Sequence, residues 1–309
     1  MSQLTGTTSG RYVRGRLRPV WEEEPSKAGL ASKAVVLVLV CLAILFPLWV
    51  VIVTSLSSVE TITDTGGLVV IPQDITFIAY EELLGGGQVT RAAMVSIGVT
   101  TVGTLFSMAV SVLAAYGLSR RGSVLHRTFL LFMLATMFFS AGLIPTYLVV
   151  QGLGLTNTYL SLILPSALSV FNILVLRAFF MSTAQELIES ARIDGAGDFR
   201  ILWTIVMPLS RAPIAVITLF YAVGYWSAWF NASIYLTDPQ MLPLQNILNQ
   251  LVLKRERPVG LAQAINTNEL SPLAIQMAVM VLALIPVTVL SPFVQKHFKK
   301  GMLTGAVKG

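Results

Sequence analysis

Long apolar stretches alternate with short polar segments along the 309 residues of this chain. An α-helix needs about twenty residues to cross roughly 30 Å of hydrocarbon, and six of the apolar stretches reach that length. Lipid cannot satisfy an open backbone, so each stretch is predicted to be a helix. The pattern predicts an all-α integral membrane protein with six transmembrane helices. These spans are 34–56, 94–117, 128–150, 159–180, 213–236 and 274–293.

Four prolines fall inside the predicted spans, where each removes one backbone donor. They are Pro47, Pro145, Pro165 and Pro286. Neighbouring helices in a bundle can satisfy the carbonyls that a proline leaves without a partner. Kinks are therefore expected in these helices.

The distribution of lysine and arginine orients the predicted bundle. Sixteen of the 21 basic residues lie in the tail up to Lys33, in 118–127, in 181–212 or after Val294. Cytoplasmic loops carry the excess of basic residues in membrane proteins, so both termini are predicted to be cytoplasmic. The chain then divides into a cytoplasmic tail 1–33, a membrane domain 34–293 with a cytoplasmic loop at 183–212, and a cytoplasmic tail 294–309.

Composition agrees with a membrane protein, since 55% of the residues are hydrophobic and 12% are charged. Soluble domains carry roughly a quarter charged residues. The net charge of +6 is attributed to cytoplasmic loops, and no nucleic-acid partner is expected. Cys41 is the single cysteine, which excludes an intrachain disulfide and a cysteine metal cluster.

Two segments on the predicted outer side are expected to hold short helices, around Ile78–Leu84 and within Leu244–Leu253. The first of these segments, 57–91, is acidic and rich in turn residues. It is interpreted either as a solvated loop or as a contact surface for an external partner. Its residues do not decide between the two.

The 183–212 loop is unusually polar and helix-patterned for a connection between two spans. Thr183 and Glu186 have the spacing of a capping box, which predicts a helix over 184–194 that Gly195 ends. Asp198 is expected to cap a second helix. That helix would carry one apolar stripe, formed by Phe199, Leu202, Trp203 and Val206.

Two interpretations of this pair of helices remain open from pattern alone. An amphipathic pair could lie on the bilayer surface. Alternatively, it docks onto a cytosolic protein, which the pattern favours. The first helix carries small and polar side chains on much of its surface, which suits a protein groove better than lipid. These are Ser190, Ala191, Arg192 and Asp194.

The loop also carries a longer motif. Glu189-Ser-Ala, three residues, Gly195, nine residues and then Ile205-Val-Met-Pro208 resembles the EAA motif of ABC importer permeases, E-A-A-x3-G-x9-I-x-L-P. Ser190 replaces an alanine and Met207 a leucine, both of compatible size. Residues 189–213, residues 220–236 and the terminal GAVKG resemble the carbohydrate-uptake, maltose-type branch. Within that branch the chain is most similar to the aldouronate/lipoprotein-type sugar permeases.

The resemblance implies a type I ABC importer permease fold in the cytoplasmic membrane of a prokaryote. It implies a second homologous permease, two ATPase subunits that bind ATP and magnesium, and an extracytoplasmic solute-binding protein. Glu189 would make a charged contact in a cleft of the ATPase, Gly195 would allow a close turn, and the tail Lys296–Gly309 would reach the ATPase dimer. The implied docking residues are Glu189, Ser190, Ala191, Asp194, Gly195, Phe199 and Pro208.

No catalytic constellation is present in the sequence, and no enzymatic activity, cofactor or metal site is predicted for this chain. The two histidines, His126 and His297, lie at predicted span ends and are interpreted as ordinary basic residues. The phosphate-binding motif G-x-x-x-x-G-K-[ST] does not occur, so a separate subunit must bind ATP.

The spans contain almost no charge, which fits a neutral or weakly charged solute and disfavours an ion-coupled carrier. Arg177 is the exception and is expected to reach the cytoplasmic surface. Aromatic rings and amides suit sugar recognition, and five such residues are predicted to line the solute pathway. They are Asn172, Tyr221, Tyr225, Trp226 and Asn231. Trp229 and Tyr235 are instead assigned to an interfacial aromatic belt.

Three functions follow from these observations. The first is the permease subunit of an ATP-driven importer for a carbohydrate, which is expected to be an oligosaccharide. The second is an ion-coupled carrier acting alone, and the third is a membrane scaffold that docks a cytosolic protein. The absence of intramembrane carboxylates disfavours the second, and the EAA-like motif favours the first over the third.

Overall fold

A computed structural model describes residues 12–13, 16–17, 26–85, 87–120, 122, 125–182, 185–254 and 271–305. The chain divides into two compact units, residues 1–50 and 51–309. In the first unit, strands β1 and β2 pair antiparallel, with Tyr12 opposite Leu17. Helix α1 begins in this unit at Lys27.

The described elements are predominantly helical. In chain order they are β1 (Tyr12–Val13), β2 (Arg16–Leu17), α1 (Lys27–Ser55), α2 (Val59–Asp64), α3 (Ile78–Leu84), α4 (Gln88–Ser119), α5 (His126–Phe138), α6 (Leu143–Gly152), α7 (Leu160–Ile163), α8 (Val170–Met181), α9 (Gln185–Ile193), α10 (Asp198–Ile201), a π-helix (Leu202–Val206), α11 (Met207–Leu209), α12 (Arg211–Trp226), α13 (Trp229–Tyr235), a 3₁₀-helix (Pro239–Met241), α14 (Leu244–Val252) and α15 (Pro272–Gly305).

The predicted helical architecture is confirmed. Helices α1, α4 and α15 are each long and apolar enough to cross a membrane, and up to six spans result if each bent pair of helices counts as one. Helix α15 continues well past residue 293 to Gly305. The short helices predicted around Ile78–Leu84 and within Leu244–Leu253 are also confirmed, as α3 and α14.

The prediction of one continuous helix over 128–150 is wrong. Helices α5 and α6 meet at an angle of 116°. The break ends at Gly142, whose φ of 82° is readily adopted by glycine. Pro145 lies in the first turn of α6, where its missing N–H needs no helical acceptor. It therefore helps begin a helix instead of kinking one.

The prediction of a continuous helix over 159–180 is also wrong. Helix α7 ends after one turn, and α8 begins only at Val170. Pro165 follows Leu164, the C-cap of α7, and cannot donate a helical hydrogen bond. The Oγ of Ser169 then accepts from the Asn172 amide at 3.4 Å and caps the new helix.

The predicted span 213–236 is likewise divided, into α12 and α13. The Ser227 amide closes α12 on the Val223 carbonyl at 3.0 Å. The following residue, Ala228, has φ −79° and ψ 49°, outside the helical region. Helix α13 begins at Trp229, whose carbonyl accepts from Asn246 on α14 at 3.0 Å.

The core of the second unit forms where α4 packs against α8 and α12, and α12 against α15. Small residues on α4 allow the close approach expected between membrane helices. A Cβ added at Gly103 would lie 2.9 Å from the Tyr225 ring on α12. On the predicted outer side, the Leu244 amide donates to Ser96 Oγ at 2.8 Å and ties α14 to α4.

Candidate functional site

The first helix of the 183–212 loop ends as its sequence predicts. Gly195 has φ 79°, its amide donates to the Arg192 carbonyl at 3.0 Å, and the Ala196 amide donates to the Ala191 carbonyl at 2.9 Å. This left-handed closure satisfies carbonyls at the helix end. The predicted Thr183 cap lies outside the described residues.

The expectation that Asp198 caps the second helix is wrong. Gly197 occupies the cap position with an extended backbone. The Asp198 carboxylate instead accepts two hydrogen bonds from the guanidinium of Arg120. The helix continues from α10 through a π-helical turn, Leu202–Val206, to α11 and Pro208. Such π turns recur at functional sites.

The loop buries one face and exposes the other. Ile188 is buried beside exposed Glu189, and Ile193 is 87% exposed. The predicted apolar stripe is divided, because Leu202 and Val206 are buried whereas Phe199 and Trp203 are exposed. Of the remaining implied docking residues, Ser190 and Asp194 are exposed, and Ala191 and Pro208 are half-buried.

Exposed Ile193 was missed by sequence reasoning. It lies in the last turn of α9, between the polar residues that carry the motif. Its side chain leaves apolar surface at the end of a polar helix that the described residues do not cover. Its position in the motif, two residues before Gly195, was the available signal.

Glu189 makes no ion pair with any residue that the structure describes. In particular, the local pair with Arg192 that would give an exposed helix a few tenths of a kcal/mol does not form. Among the described residues, the Glu189 carboxylate thus has no ionic partner.

The contact between Arg120 and Asp198 joins the loop to the end of α4. The Arg120 guanidinium lies 5.1 Å from the centroid of the Tyr116 ring, within cation–π range. Its hydrogen bonds hold the pKa of Asp198 below the ordinary value of 3.8. The contact thus stabilises the loop fully above that value and is lost only as pH falls through the lower folded-state pKa.

A cavity of about 790 Å³ lies between the loop and the bundle. The Arg120–Asp198 pair is part of its wall. The other lining residues come from the ends of α4 and α8 and from the inner face of the loop. They are Tyr116, Ser119, Gly122, Phe180, Met181, Ile188, Arg192 and Val206.

A second cavity, of about 350 Å³, lies between α8, α12 and α13. Ligand pockets span about 300–1,000 Å³, so it is large enough for a small solute group. Four of the five residues predicted for the solute pathway line it, together with further hydroxyl-bearing and aromatic residues. The lining is Ser166, Ser169, Asn172, Phe220, Tyr221, Gly224, Tyr225, Ser227, Ala228, Phe230 and Asn231, none of which is charged.

The two tyrosines of this cavity are held by α4. The Tyr221 hydroxyl lies 2.7 Å from Ser111 Oγ and accepts from the Ser169 amide at 3.1 Å. The Tyr225 hydroxyl lies 2.8 Å from Ser107 Oγ and donates to the Ile163 carbonyl at 3.0 Å. Both rings are therefore fixed in position.

The fifth predicted residue, Trp226, does not line the cavity. Its Nε1 donates to the Ala283 carbonyl on α15 at 2.9 Å. Of the two belt residues, Tyr235 is buried and stacks on Tyr147 at 6.1 Å, while Trp229 is 40% exposed.

Arg177 is partly buried at the end of α8. Its Nε donates to the Leu118 carbonyl at 2.8 Å, and its terminal nitrogen lies 3.4 Å from His126 Nε2. Within the described residues, no group of three or more His, Cys, Asp or Glu side chains could hold a metal ion.

Comparison with known proteins assigns the chain to a family. Residues 107–304 match the family described as "Binding-protein-dependent transport system inner membrane component". The permease YtcP of the polygalacturonan/rhamnogalacturonan transport system of Bacillus subtilis is 40% identical over 88% of this chain and 96% of its own length. Protein LplC of the same organism is 39% identical over 78% of this chain and 81% of its own length.

A solved structure shares the fold. It belongs to a bacterial ABC transporter involved in the import of the acidic polysaccharide alginate, and one of its chains superposes with a TM-score of 0.83 and 32% identity. The match covers 90% of this chain and 100% of that chain. This chain therefore belongs to the family of binding-protein-dependent transport system inner membrane components, as a permease subunit of an ABC importer.

Proposed function

We propose that this chain forms half of a carbohydrate pathway through the cytoplasmic membrane of a prokaryote. It crosses the membrane six times with both termini in the cytoplasm, and a second homologous permease supplies the other half. Two ATPase subunits bind ATP and magnesium, and an extracytoplasmic solute-binding protein delivers the solute. The exposed motif face of the 183–212 loop is the observation that carries the coupling to an ATPase.

The solute is proposed to be an oligosaccharide. Two relatives belong to systems for polygalacturonan/rhamnogalacturonan and for alginate. The cavity between α8, α12 and α13 presents aromatic rings with the amides of Asn172 and Asn231. Flat aromatic faces and neutral hydrogen-bonding groups match the apolar faces and hydroxyls of a sugar.

The 183–212 loop is proposed to insert α9 into a cleft of the ATPase. Glu189 has no ion pair among the described residues and would meet a basic side chain, for which an arginine has the matching geometry. Ile193 and Phe199 are 87% and 72% exposed and would be buried in the same cleft. ATP-driven closure of the ATPases would then move the loops and switch the bundle between its two states.

Charge reversal of Glu189 tests this coupling. In Glu189→Arg the acidic contact becomes repulsive, and removing one partner of a buried charge pair costs about 2–5 kcal/mol. Binding of the ATPase to the purified permease pair should weaken about thirtyfold or more, with uptake lost and membrane insertion unchanged. Glu186→Arg makes the same change on an exposed residue of the same helix and is the matched control. It should bind the ATPase much more tightly than Glu189→Arg does.

Uptake that is unaffected by Glu189→Arg, or that continues without any ATPase, would overturn the coupling and leave an ion-coupled carrier. ATPase docking without any solute uptake would instead indicate a scaffold. In the reconstituted complex, stimulation of ATP hydrolysis by the binding protein with acidic or neutral oligosaccharides then identifies the solute.

A further inference from the structure

One helix connects the two candidate sites. Helix α4 runs without interruption from Gln88 to Ser119. Arg120, at its end, binds the loop, while Ser111 and Ser107 bind the tyrosines of the cavity. At a rise of 1.5 Å per residue these serines lie about 14 Å and about 20 Å along the helix from Arg120.

The ion pair between Arg120 and Asp198 is the only one within the described residues. It joins residues 78 positions apart in sequence, across the wall of the 790 Å³ cavity. Both terminal nitrogens of the guanidinium engage the carboxylate, and such a two-pronged contact fixes direction as well as distance. Tyr116 supports the guanidinium from α4 itself.

Apolar contacts between the loop and the bundle differ in kind from this pair. Ile188 and Val206 are buried at the cavity, but hydrophobic contact has no preferred direction. Those side chains can slide when the loop moves. The Arg120–Asp198 contact instead ties the start of α10 to one point at the end of α4.

We infer that Arg120 and Asp198 are positioning residues, whose contact transmits the movement of the 183–212 loop to α4 and so to Tyr221 and Tyr225 in the cavity. The inference rests on the proposed function, because it assumes that an ATPase moves the loop. It assigns the two residues to coupling and leaves ATPase binding to the exposed face of α9 and to Phe199 on α10. An exposed ion pair of this type adds little to the free energy of unfolding. Its role is therefore to set the direction in which the 183–212 loop moves α4.

The test uses the complete importer, with both permeases, the ATPases and the binding protein, reconstituted in proteoliposomes. The variants are Arg120→Glu, Asp198→Arg and the double reversal of both, which restores a pair of opposite charges. Arg127→Glu is the control, because Arg127 is exposed and has no ion pair within the described residues. Four quantities are measured: ATPase binding, ATP hydrolysis, solute uptake and the unfolding temperature.

Each single reversal should lower the solute transported per ATP by about fivefold or more, the lower end of typical coupling between sites. ATPase binding and the unfolding temperature should stay at the wild-type level. The double reversal should recover most of the loss, and Arg127→Glu should transport as the wild type does.

Unchanged transport per ATP in the single reversals would overturn the inference, as would a double reversal no better than either single one. A loss that follows a lower unfolding temperature would assign the pair a structural role and also overturn it. These outcomes leave the proposed function intact. That function fails separately if the wild-type complex shows no ATP-driven uptake or if Glu189→Arg still binds the ATPase normally.

Discussion

At the scale of single residues, the hydroxyls of the two cavity tyrosines form hydrogen bonds within the protein. Tyr221 and Tyr225 each use that oxygen to contact a serine of α4 and a backbone group. A solute in the cavity therefore meets their rings. The polar groups left to it include the amides of Asn172 and Asn231 and the hydroxyls of Ser166 and Ser227, which line the same space.

The buried contact between Ser111 and Tyr221 can be measured by a double-mutant cycle with Ser111→Ala and Tyr221→Phe. Each single change leaves a buried polar atom without its side-chain partner, which costs about 1–3 kcal/mol. We expect a coupling energy near the average of about 0.6 kcal/mol for hydrogen bonds between membrane helices. Unfolding of the detergent-solubilised permease pair supplies the free energies.

Tyr159→Phe is the control for this cycle. Tyr159 is half-buried, and its hydroxyl has no hydrogen-bond partner within the described residues. Its loss should leave the free energy of unfolding nearly unchanged. A coupling energy of zero between Ser111 and Tyr221 would mean that the hydroxyl contact does not form in the membrane.

At the scale of elements, hydropathy located the apolar stretches but not the helix breaks within them. A count of apolar residues carries no information about the direction of a helix. One continuous helix over 128–150 and the pair α5–α6, which is bent by 116°, therefore give the same hydropathy pattern. Gly142 and Pro165 were visible signals of breaks. The break at Ser227 has no such signal in the sequence. It is accompanied by contacts between α13 and α14 that appear only in the folded structure.

The candidate site divides in the same way. The motif spacing identified the loop helix and its end at Gly195, both local features of about ten residues. Arg120 and Asp198 were not paired, because a contact between residues 78 positions apart leaves no pattern in one sequence. Trp226 was assigned to the pathway by composition alone, and its orientation depends on the packing of α15 against α12.

The close packing of α4 on α12 predicts different effects for two glycines of α4. In Gly103→Ala the new methyl group would meet the Tyr225 ring at 2.9 Å, and overpacking of this kind costs about 1–3 kcal/mol. Because the ring is also held by Ser107 and Ile163, it cannot move without losing those hydrogen bonds. The free energy of unfolding and the rate of solute-stimulated ATP hydrolysis should both decrease.

Gly98→Ala is the matched control on the same helix, with nothing within 4 Å of the added carbon. Replacing a helical glycine in open space removes its entropic cost and is worth about 0.5–1 kcal/mol. The variant should be at least as stable as the wild type. Equal destabilisation by both changes would contradict close packing at Gly103.

At the scale of the whole molecule, the structure groups the loops of the second unit as charge assigned them. The 118–127 and 181–212 segments, both predicted to be cytoplasmic, meet through Arg120 and Asp198. At the predicted outer side, Asn157 Oδ1 accepts from the amides of Thr237 and Asp238, both at 3.1 Å. Loops predicted to share a side of the membrane are thus in contact, while the side that each set faces stays a prediction from the basic residues.

Labelling of single cysteines tests this orientation directly. The background is Cys41→Ser, which removes the only native cysteine, and exposed positions on the two sides receive Asp74→Cys or Ser190→Cys. A membrane-impermeant maleimide should label the first variant in intact cells, because residue 74 is predicted to lie outside. It should label the second only after the membrane is opened, because the 183–212 loop must face the cytosolic ATPase to be driven by it. Labelling of the Ser190→Cys variant in intact cells would invert the topology and remove the loop from any contact with ATP.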